Sequence, residues 1–575
     1  MPGINLPTCL WAQKTCLFTF VFILLTATTL ASTSITTNVT KYNAGDWVEV
    51  SWDYNESNYS DCWIGLFAPI DTPKMTTIKP EGGVSSQPYV STAPIKYILC
   101  NQGGGMTTGK GQFNFHLTNN YRQDVFFAIF EGGLATPTEV TRTTAIVAEN
   151  PNAPMHLRLS LTKNVGEMMV GWTAKLPTTN LIEYGYSKDN LSNKGIAEYS
   201  ETYGREDLCG APGSGSGWFE PGYAFYAIIP PLTEDDVKEC FYRVGSDESG
   251  WSEIQSFTQE SPETLNAPHK QVKILLTADV GATELDGSHY HWEEPNASST
   301  YRLMAGAKTG ADLAVHIGDL AYATGYESKW ENFMHQIEDI SASMPYMVGL
   351  GNHERDYPNT GSTGGTDSGG ECGVATRHRF RMPSPDPDSD QFWYSFDISG
   401  LVHMVMLNSE VPMGVGSEQY IFLDEDLQNV NRTNTPWVVV MYHRAMYFAY
   451  QGAGYNVYGD GVQNFDEVEA LLIKHGVDLC LSGHVHNLMV TCPVNNGKCV
   501  KQGEAPVHIV VGNGGQDLSF YPNKTEVPKV PEWVDYKLAN FGWNELLVNN
   551  YGKELVVNMY SDKDDSLYHS VKLEK

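Results

Sequence analysis

The sequence predicts a multidomain chain in which β-rich N-terminal domains precede an α/β layered sandwich. Three observations carry that reading. Up to about residue 260 the hydrophobic runs are short, alternating and rich in β-branched and aromatic residues, as in WVEVSW, VFFAIF, HLRLSL and YAFYAII. Beyond SPETLNAPHK they alternate with segments of helical periodicity. Within that second part, five strand-like runs each end in side chains that bind metals: KILLTADVG, DLAVHIGDLAY, YMVGLGNHE, WVVVMYH and VDLCLSGHVH.

At 575 residues the chain is too long for one ordinary core. Residues 1–31 read as a secretory signal, with Lys14 before the apolar run Cys16 to Leu25 and small residues approaching Ala31. That run is too short to span a bilayer comfortably. The ending SVKLEK carries neither an anchor nor a retention signal. A soluble, exported protein is expected, secreted or routed to a vacuole or lysosome.

Residues 32–150 are predicted as a β-rich domain, ENPNAP (Glu149 to Pro154) as a linker, and residues 151–262 as a second β domain. The glycine-rich NQGGGMTTGKGQ lacks the ending of a phosphate loop, and GSGSGW lacks the following helix of a dinucleotide site. In residues 263–575, Trp330, Phe333, Met334, Ile337 and Ile340 mark one apolar helix face. Phe465, Val468, Leu471 and Leu472 mark another, stopped at Gly476. Such alternation predicts strands layered with helices.

A charged share of only 18% argues against disorder and coiled coil. The net charge of −31 excludes nucleic acid as an expected partner. It would also repel a phosphorylated substrate, so any attraction for phosphate must come locally from bound cations. Ten cysteines become eight once Cys9 and Cys16 leave with the signal, which suggests disulfides. Cys492 and Cys499 bracket a hairpin-like PVNNGK, and Cys62 with Cys100 is a second candidate pair. Acceptor sequons at Asn38, Asn55, Asn58, Asn190, Asn296, Asn431 and Asn523 predict a glycoprotein. No membrane partner is expected, and the oligomeric state is left open.

Side chains at the carboxyl ends of neighbouring strands in an open α/β sheet converge on one crevice. Here they are Asp279, Asp319, Tyr322, Asn352, His353, His443, His484 and His486. Taken singly, each reads as a solvated Asp, a core Tyr or a satisfied His. Jointly they form an O/N donor set suited to two adjacent metal ions. His316 and His403 lie inside strand runs and read as structural. His289 and His291 follow the first motif in a loop and are candidates for facing the site.

These five segments, in order and spacing, resemble the metallophosphoesterase superfamily, and GDLAY narrows the resemblance to purple acid phosphatases. TDSGGECGV (Thr366 to Val374), QFWYSFD (Gln391 to Asp397), HRAMY and VVGNGGQDL (Val510 to Leu518) resemble the larger plant-like branch. The resemblance implies a fibronectin-type β-sandwich at 151–262, followed by a four-layer metallophosphoesterase sandwich. It implies Asp279, Asp319, Tyr322 and His486 as ligands of Fe(III). It likewise implies Asp319, Asn352, His443 and His484 as ligands of a divalent Zn, Mn or Fe, with Asp319 bridging. His353 takes the catalytic role, its family counterpart hydrogen-bonding the substrate phosphate.

The implied activity is an acid phosphatase that hydrolyses phosphoric monoesters of small molecules through a metal-bound hydroxide. The alternatives are a phosphodiesterase, nucleotide pyrophosphatase or phytase on the same centre, or a catalytically idle, glycosylated binding protein. Two departures stand out. FAYQGAG after the fourth motif lacks the histidine pair that supplies a general acid in some plant enzymes. GHVH continues as Asn487-Leu488-Met489-Val490, where relatives usually have Asn-Tyr-Glu-Arg.

Overall fold

A computed structural model of the chain describes residues 33–54, 61–68, 92–102, 109–233, 236–387, 391–458 and 464–575. The expected signal segment and the sequons at Asn55 and Asn58 lie outside the described residues.

The first β-rich part is a sandwich. A three-stranded sheet (Ser34–Thr37, Asp46–Asp53, Lys110–Leu117) faces a four-stranded one (Lys96–Leu99, Trp63–Phe67, Phe126–Glu131, Thr138–Arg142). The period-2 pattern of DWVEVSWD sends Val48, Val50 and Trp52 inward against Ile64, Leu66, Phe115 and Phe127. A disulfide joins Cys62 and Cys100 beside the four-stranded sheet.

The second sandwich packs a sheet ordered Met155–Leu161, Met168–Ala174, Tyr223–Ile229, Tyr199–Glu201 on one built around Leu181–Gly185 and Val237–Ser246. Trp172, fully buried at its centre, donates its indole N–H to the Thr179 carbonyl at 2.8 Å, so the ring costs no unsatisfied donor.

The α/β part has four layers. One sheet runs in the order Tyr346–Gly349, Leu313–Ile317, Val272–Thr277, Gly542–Asn549, Glu554–Ser561, Leu567–Glu574. The other runs Tyr394–Ile398, Val402–Met406, Trp437–Arg444, Leu479–Gly483, Val507–Val511, Leu488–Thr491, Val534–Leu538. Their facing surfaces share one core that includes Ile274, Leu276, Ile317, Met406, Val439, Met441 and Leu481.

Helices Ala297–Ala307 and Glu327–Ser341 cover the outside of the first sheet. Helices Glu418–Asn429 and Phe465–Lys474 cover the second, pressing Leu423, Val468 and Leu472 onto Val438, Val440 and Tyr442. The two apolar stripes read from the sequence are the buried faces of Glu327–Ser341 and Phe465–Lys474. Central strands are buried on both faces, which is why VHIVV and LAVHI are apolar apart from one buried histidine each rather than alternating.

Charged contacts fasten the sandwiches to the α/β part. Lys96, fully buried, lies 2.7 Å from Asp286 and 3.3 Å from Glu284, both in the loop that follows TADVG. Tyr97 and His289 exchange backbone hydrogen bonds beside this cluster, at 2.9 and 2.7 Å. Arg122 pairs with Glu331 at 2.9 Å, and Arg381 of the α/β part pairs with Glu201 of the second sandwich. Removing one partner of a buried pair strands the other charge, which costs about 3–5 kcal/mol. Lys96→Met is therefore expected to destabilise the docked first sandwich by about that much. A urea titration should show an earlier transition, and limited proteolysis should show release of this domain. An unchanged midpoint would mean the carboxylates are solvated instead.

Two further disulfides occur among the described residues. Cys492–Cys499 closes the hairpin expected from PVNNGK. Cys209–Cys372, which no local spacing announces, ties the loop after the second sandwich's Tyr199–Glu201 strand to the GGECGV segment. Cys240 and Cys480 are buried thiols.

Candidate metal centre

The loops that leave Val272–Thr277, Leu313–Ile317, Tyr346–Gly349, Trp437–Arg444 and Leu479–Gly483 meet at one end of the two sheets. The structure brings all seven candidate ligands together there. Tyr322 Oη lies 3.2 Å from Asp279 Oδ1 and 3.0 Å from His486 Nε2. Asn352 Oδ1 lies 3.1 Å from His443 Nε2 and 2.8 Å from His484 Nδ1. Asp319 Oδ2 lies 3.2 Å from His443 Nε2. Two three-donor groups emerge, Asp319 with His443 and His484, and Asp279 with Asp319 and His486; within each, the donor atoms fall inside 4.8 Å. Asp319 belongs to both.

The backbone is bent to achieve this. Asp279, Asp319, Tyr322 and His484 all have positive φ, between 48° and 66°. Such conformations cost on the order of 1–3 kcal/mol each and cluster where function over-determines them. The glycine before a ligand is equally constrained. A Cβ on Gly351 would sit 2.2 Å from Asp319 Oδ1, and one on Gly483 2.5 Å from Asp279 Oδ2. The G-N and G-H pairs thus let one motif's backbone touch another's carboxylate.

Neighbouring groups hold the loops in place. The Glu354 carboxylate accepts backbone N–H bonds from Asp319, Leu320 and Gly351 at 2.9, 2.8 and 3.0 Å, locking the second motif to the third. Burial, then the charge of Asp319, pushes its pKa up to about 8. The Asp279 carboxylate accepts the His484 backbone N–H. His486 Nδ1 stands 2.6 Å from the Asp517 carbonyl, which leaves Nε2 facing Tyr322. Arg444 lies 2.9 Å from Glu410 and 3.5 Å from both Asp356 and His484 Nε2.

Two buried carboxylates and a phenol crowd the centre. Burial pushes the Asp279 carboxyl up, and burial together with both aspartates pushes the Tyr322 phenol up. Burial alone would raise Asp319, but the charges of His443, His353 and His484 together with a hydrogen bond from His443 outweigh it and hold Asp319 well down. For His443 the same pair works in reverse: burial alone would lower it, and Asp319 raises it to about 10. Anionic O donors pressed together beside imidazoles form a set that cations would relieve.

His353 sits at the edge. Its ring packs 4.5 Å from that of Tyr322, its Nε2 is 4.0 Å from Asp319 Oδ2, and its Nδ1 has no hydrogen-bond partner. His289 is occupied elsewhere, 2.5 Å from Glu293 and 2.6 Å from Gln102, while His291 stacks on Tyr326 at 3.9 Å. His316 lies against Tyr346 Oη at 3.0 Å, and His403 bridges Asp397 and Asp426 at 2.7 and 2.8 Å. Glu354, Asp367, Arg444 and Asp517 were not singled out from the sequence. Glu354 and Arg444 adjoin His353 and His443, and Asp367 and Asp517 lie in the quoted segments TDSGGECGV and VVGNGGQDL.

Family models match almost the whole length. An Fn3-like domain from purple acid phosphatase covers residues 31–150, and the purple acid phosphatase N-terminal domain covers 154–259. Calcineurin-like phosphoesterase covers 272–488, and the iron/zinc purple acid phosphatase-like protein C model covers 505–570. "Probable inactive purple acid phosphatase 24" of Arabidopsis thaliana is 32% identical over 525 residues, spanning 89% of this chain and 83% of that protein. The chain belongs to the purple acid phosphatase family. The structure of purple acid phosphatase PPD1 from yellow lupin (Lupinus luteus) seeds superposes with a TM-score of 0.85 at 30% identity, covering 94% of this chain and 96% of that one. A nucleotide pyrophosphatase/phosphodiesterase of Hordeum vulgare is 32% identical over 54% of this chain and 86% of its own length. As a purple acid phosphatase by family, the chain carries a phosphoesterase fold: an Fn3-like domain and the family's N-terminal domain, followed by a calcineurin-like α/β domain.

Proposed function

We propose that this chain is an exported, metal-dependent acid phosphatase acting on phosphoric monoesters of small molecules. The observation that carries the reading is the pair of three-donor groups sharing Asp319. Asp279, Asp319, Tyr322 and His486 would hold Fe(III), a set of hard oxygen donors with one imidazole. Asp319, Asn352, His443 and His484 would hold a divalent Zn, Mn or Fe. The donors fit such a pair: they are O and N atoms only, within reach of one another, and their buried anionic charge needs compensation. When bound, the ions would supply Lewis acidity toward phosphate oxygens and an acidified water as nucleophile at low pH.

The chain's own residues do the rest. His353 presents an imidazole beside Asp319 and Tyr322, where it can donate to a phosphate or leaving-group oxygen. Glu354 and Arg444 keep the ligand loops from relaxing when charge changes at the centre. Export is supported by three disulfides. It is also supported by exposed sequon asparagines at Asn38, Asn190, Asn431 and Asn523. No described helix is long and apolar enough to cross a membrane.

Metal content and turnover of a generic aryl phosphate test the reading together. Two ions per chain with hydrolysis at acid pH support it, while two ions without turnover of any ester would leave an idle binding protein. The barley relative's name makes diesters the comparison substrate, and faster diester than monoester turnover would reassign the activity. Tyr322→Phe is expected to remove the visible charge-transfer colour of the oxidised, iron-loaded protein while leaving its circular dichroism unchanged. A colourless wild-type protein with full iron content would take Tyr322 off the ligand set.

A further inference from the structure

We propose that Asp367 is a positioning residue for the divalent-ion site, selecting the orientation of the Asn352 amide. We propose too that the second β-sandwich keeps it there through the Cys209–Cys372 link. The inference rests on the reading of the centre given above and extends it to residues outside the ligand set.

Asn352 Nδ2 donates to Asp367 Oδ2 at 3.0 Å. At its other end Oδ1 faces the two imidazoles, His443 and His484. An amide is nearly symmetric in shape, so sterics alone would let it turn over and present NH₂ to the ion. An ionised carboxylate only accepts hydrogen bonds. Asp367 can therefore bind one end of the amide, the NH₂, and that choice sends the oxygen to the metal. Hydrogen bonding to a carboxylate also draws charge through the amide and makes its oxygen a better donor to a cation.

Asp367 sits in a loop with little regular structure, so something else must fix it. The Ser368 N–H donates to the Asp356 carbonyl at 3.2 Å, and the Gly369 N–H donates to the Thr366 carbonyl at 2.9 Å. Two residues further on, the second sandwich takes hold. The N–H of Cys209 donates to the Gly370 carbonyl at 2.8 Å and that of Gly213 to the Gly369 carbonyl at 2.9 Å, and the disulfide joins Cys209 to Cys372. From the other side, Glu371 accepts the Gly325 N–H at 2.7 Å and the Trp330 indole N–H at 2.9 Å, tying the same segment to the loop after GDLAY. The GSGSGW stretch, which the sequence leaves without a role, belongs to the sandwich loop that makes these bonds.

The test is metal affinity measured ion by ion, by competition with chelators of graded strength. Asp367→Ala is expected to weaken one of two bound ions by about 10–100-fold, the usual effect of losing an outer partner of a ligand, and to leave the other unchanged. Asp367→Asn, which still offers an oxygen to Asn352 but lacks the charge and can also present its NH₂, should recover only part of that affinity. The paired Cys209→Ser and Cys372→Ser variant should show the same one-ion weakening in smaller measure. A thermal melt of each variant establishes that it is folded. Unchanged affinity for both ions in folded Asp367→Ala, or equal weakening of both, overturns the positioning role while the centre itself stands. Wild-type protein that fails to bind two ions overturns the centre instead.

Discussion

Asp319→Asn should cost both metal ions at once and reduce turnover by roughly 10⁴-fold, since each ion supplies several kcal/mol of transition-state stabilisation and 1.36 kcal/mol is a factor of ten. Asp319 is the one side chain common to both donor groups. It is held in the ionised form by His443, and its Oδ1 accepts the His353 backbone N–H at 3.0 Å. An amide of the same shape keeps that acceptor but loses the charge, and its NH₂ would meet His443 Nε2 where a carboxylate oxygen now lies 3.2 Å away. The fold should survive. Asparagine tolerates the left-handed backbone at this position, φ +49°, better than almost any other residue. Glu354 binds the backbone N–H of residue 319 and not its side chain. Metal analysis of the folded variant decides the matter, and retention of one ion per chain would show that the carboxylate is not shared.

His353→Ala should lower turnover by about 10²–10⁴-fold for esters with poor leaving groups, the usual value of a positioned proton donor, and retain both ions. The side chain is about a quarter exposed, next to Asn352 yet outside the ligand set, so its removal opens the site without disturbing the donors. With no histidine in FAYQGAG, and with His289 engaged by Glu293 and Gln102, it is the imidazole placed to serve a departing oxygen. Activated aryl phosphates, whose leaving groups need little protonation, should be affected less. An equal loss for both substrate types would assign His353 to holding phosphate, and no loss would remove it from the reaction.

The α/β layers and the centre were legible in the sequence for the same reason. A strand buried on both faces is a largely apolar run, and a candidate ligand at its end follows directly, so the convergence of Asp279 and His443 could be anticipated by reading along single segments. The two apolar helix stripes were legible because 3.6-residue periodicity is local. What stayed hidden depends on distance in the chain. Cys209 and Cys372 are 163 residues apart, Lys96 meets Asp286 across 190, and Asp367 reaches Asn352 around a loop with no periodicity. No local pattern encodes such meetings. That the strands between Ser34 and Arg142 form a sandwich was legible only as β-richness, because short strands separated by long connections do not announce their sheet partners.

The strand Val272–Thr277 carries Asp279 just beyond its end, and its neighbour on one side is Gly542–Asn549, paired from Val272↔Val548 to Leu276↔Asn544. Chains emerge N-terminus first and fold domain by domain as they do so. Until residues 542–549 have been synthesised, that strand is an open edge whose unpaired N–H and C=O groups can template wrong pairings. Asp279 would therefore be the earliest of the seven candidate ligands to be made and among the last to be fixed in place. Truncation before residue 542 should abolish the centre although it removes none of the seven, and a nascent chain should be unable to capture metal there before synthesis of this domain is nearly complete.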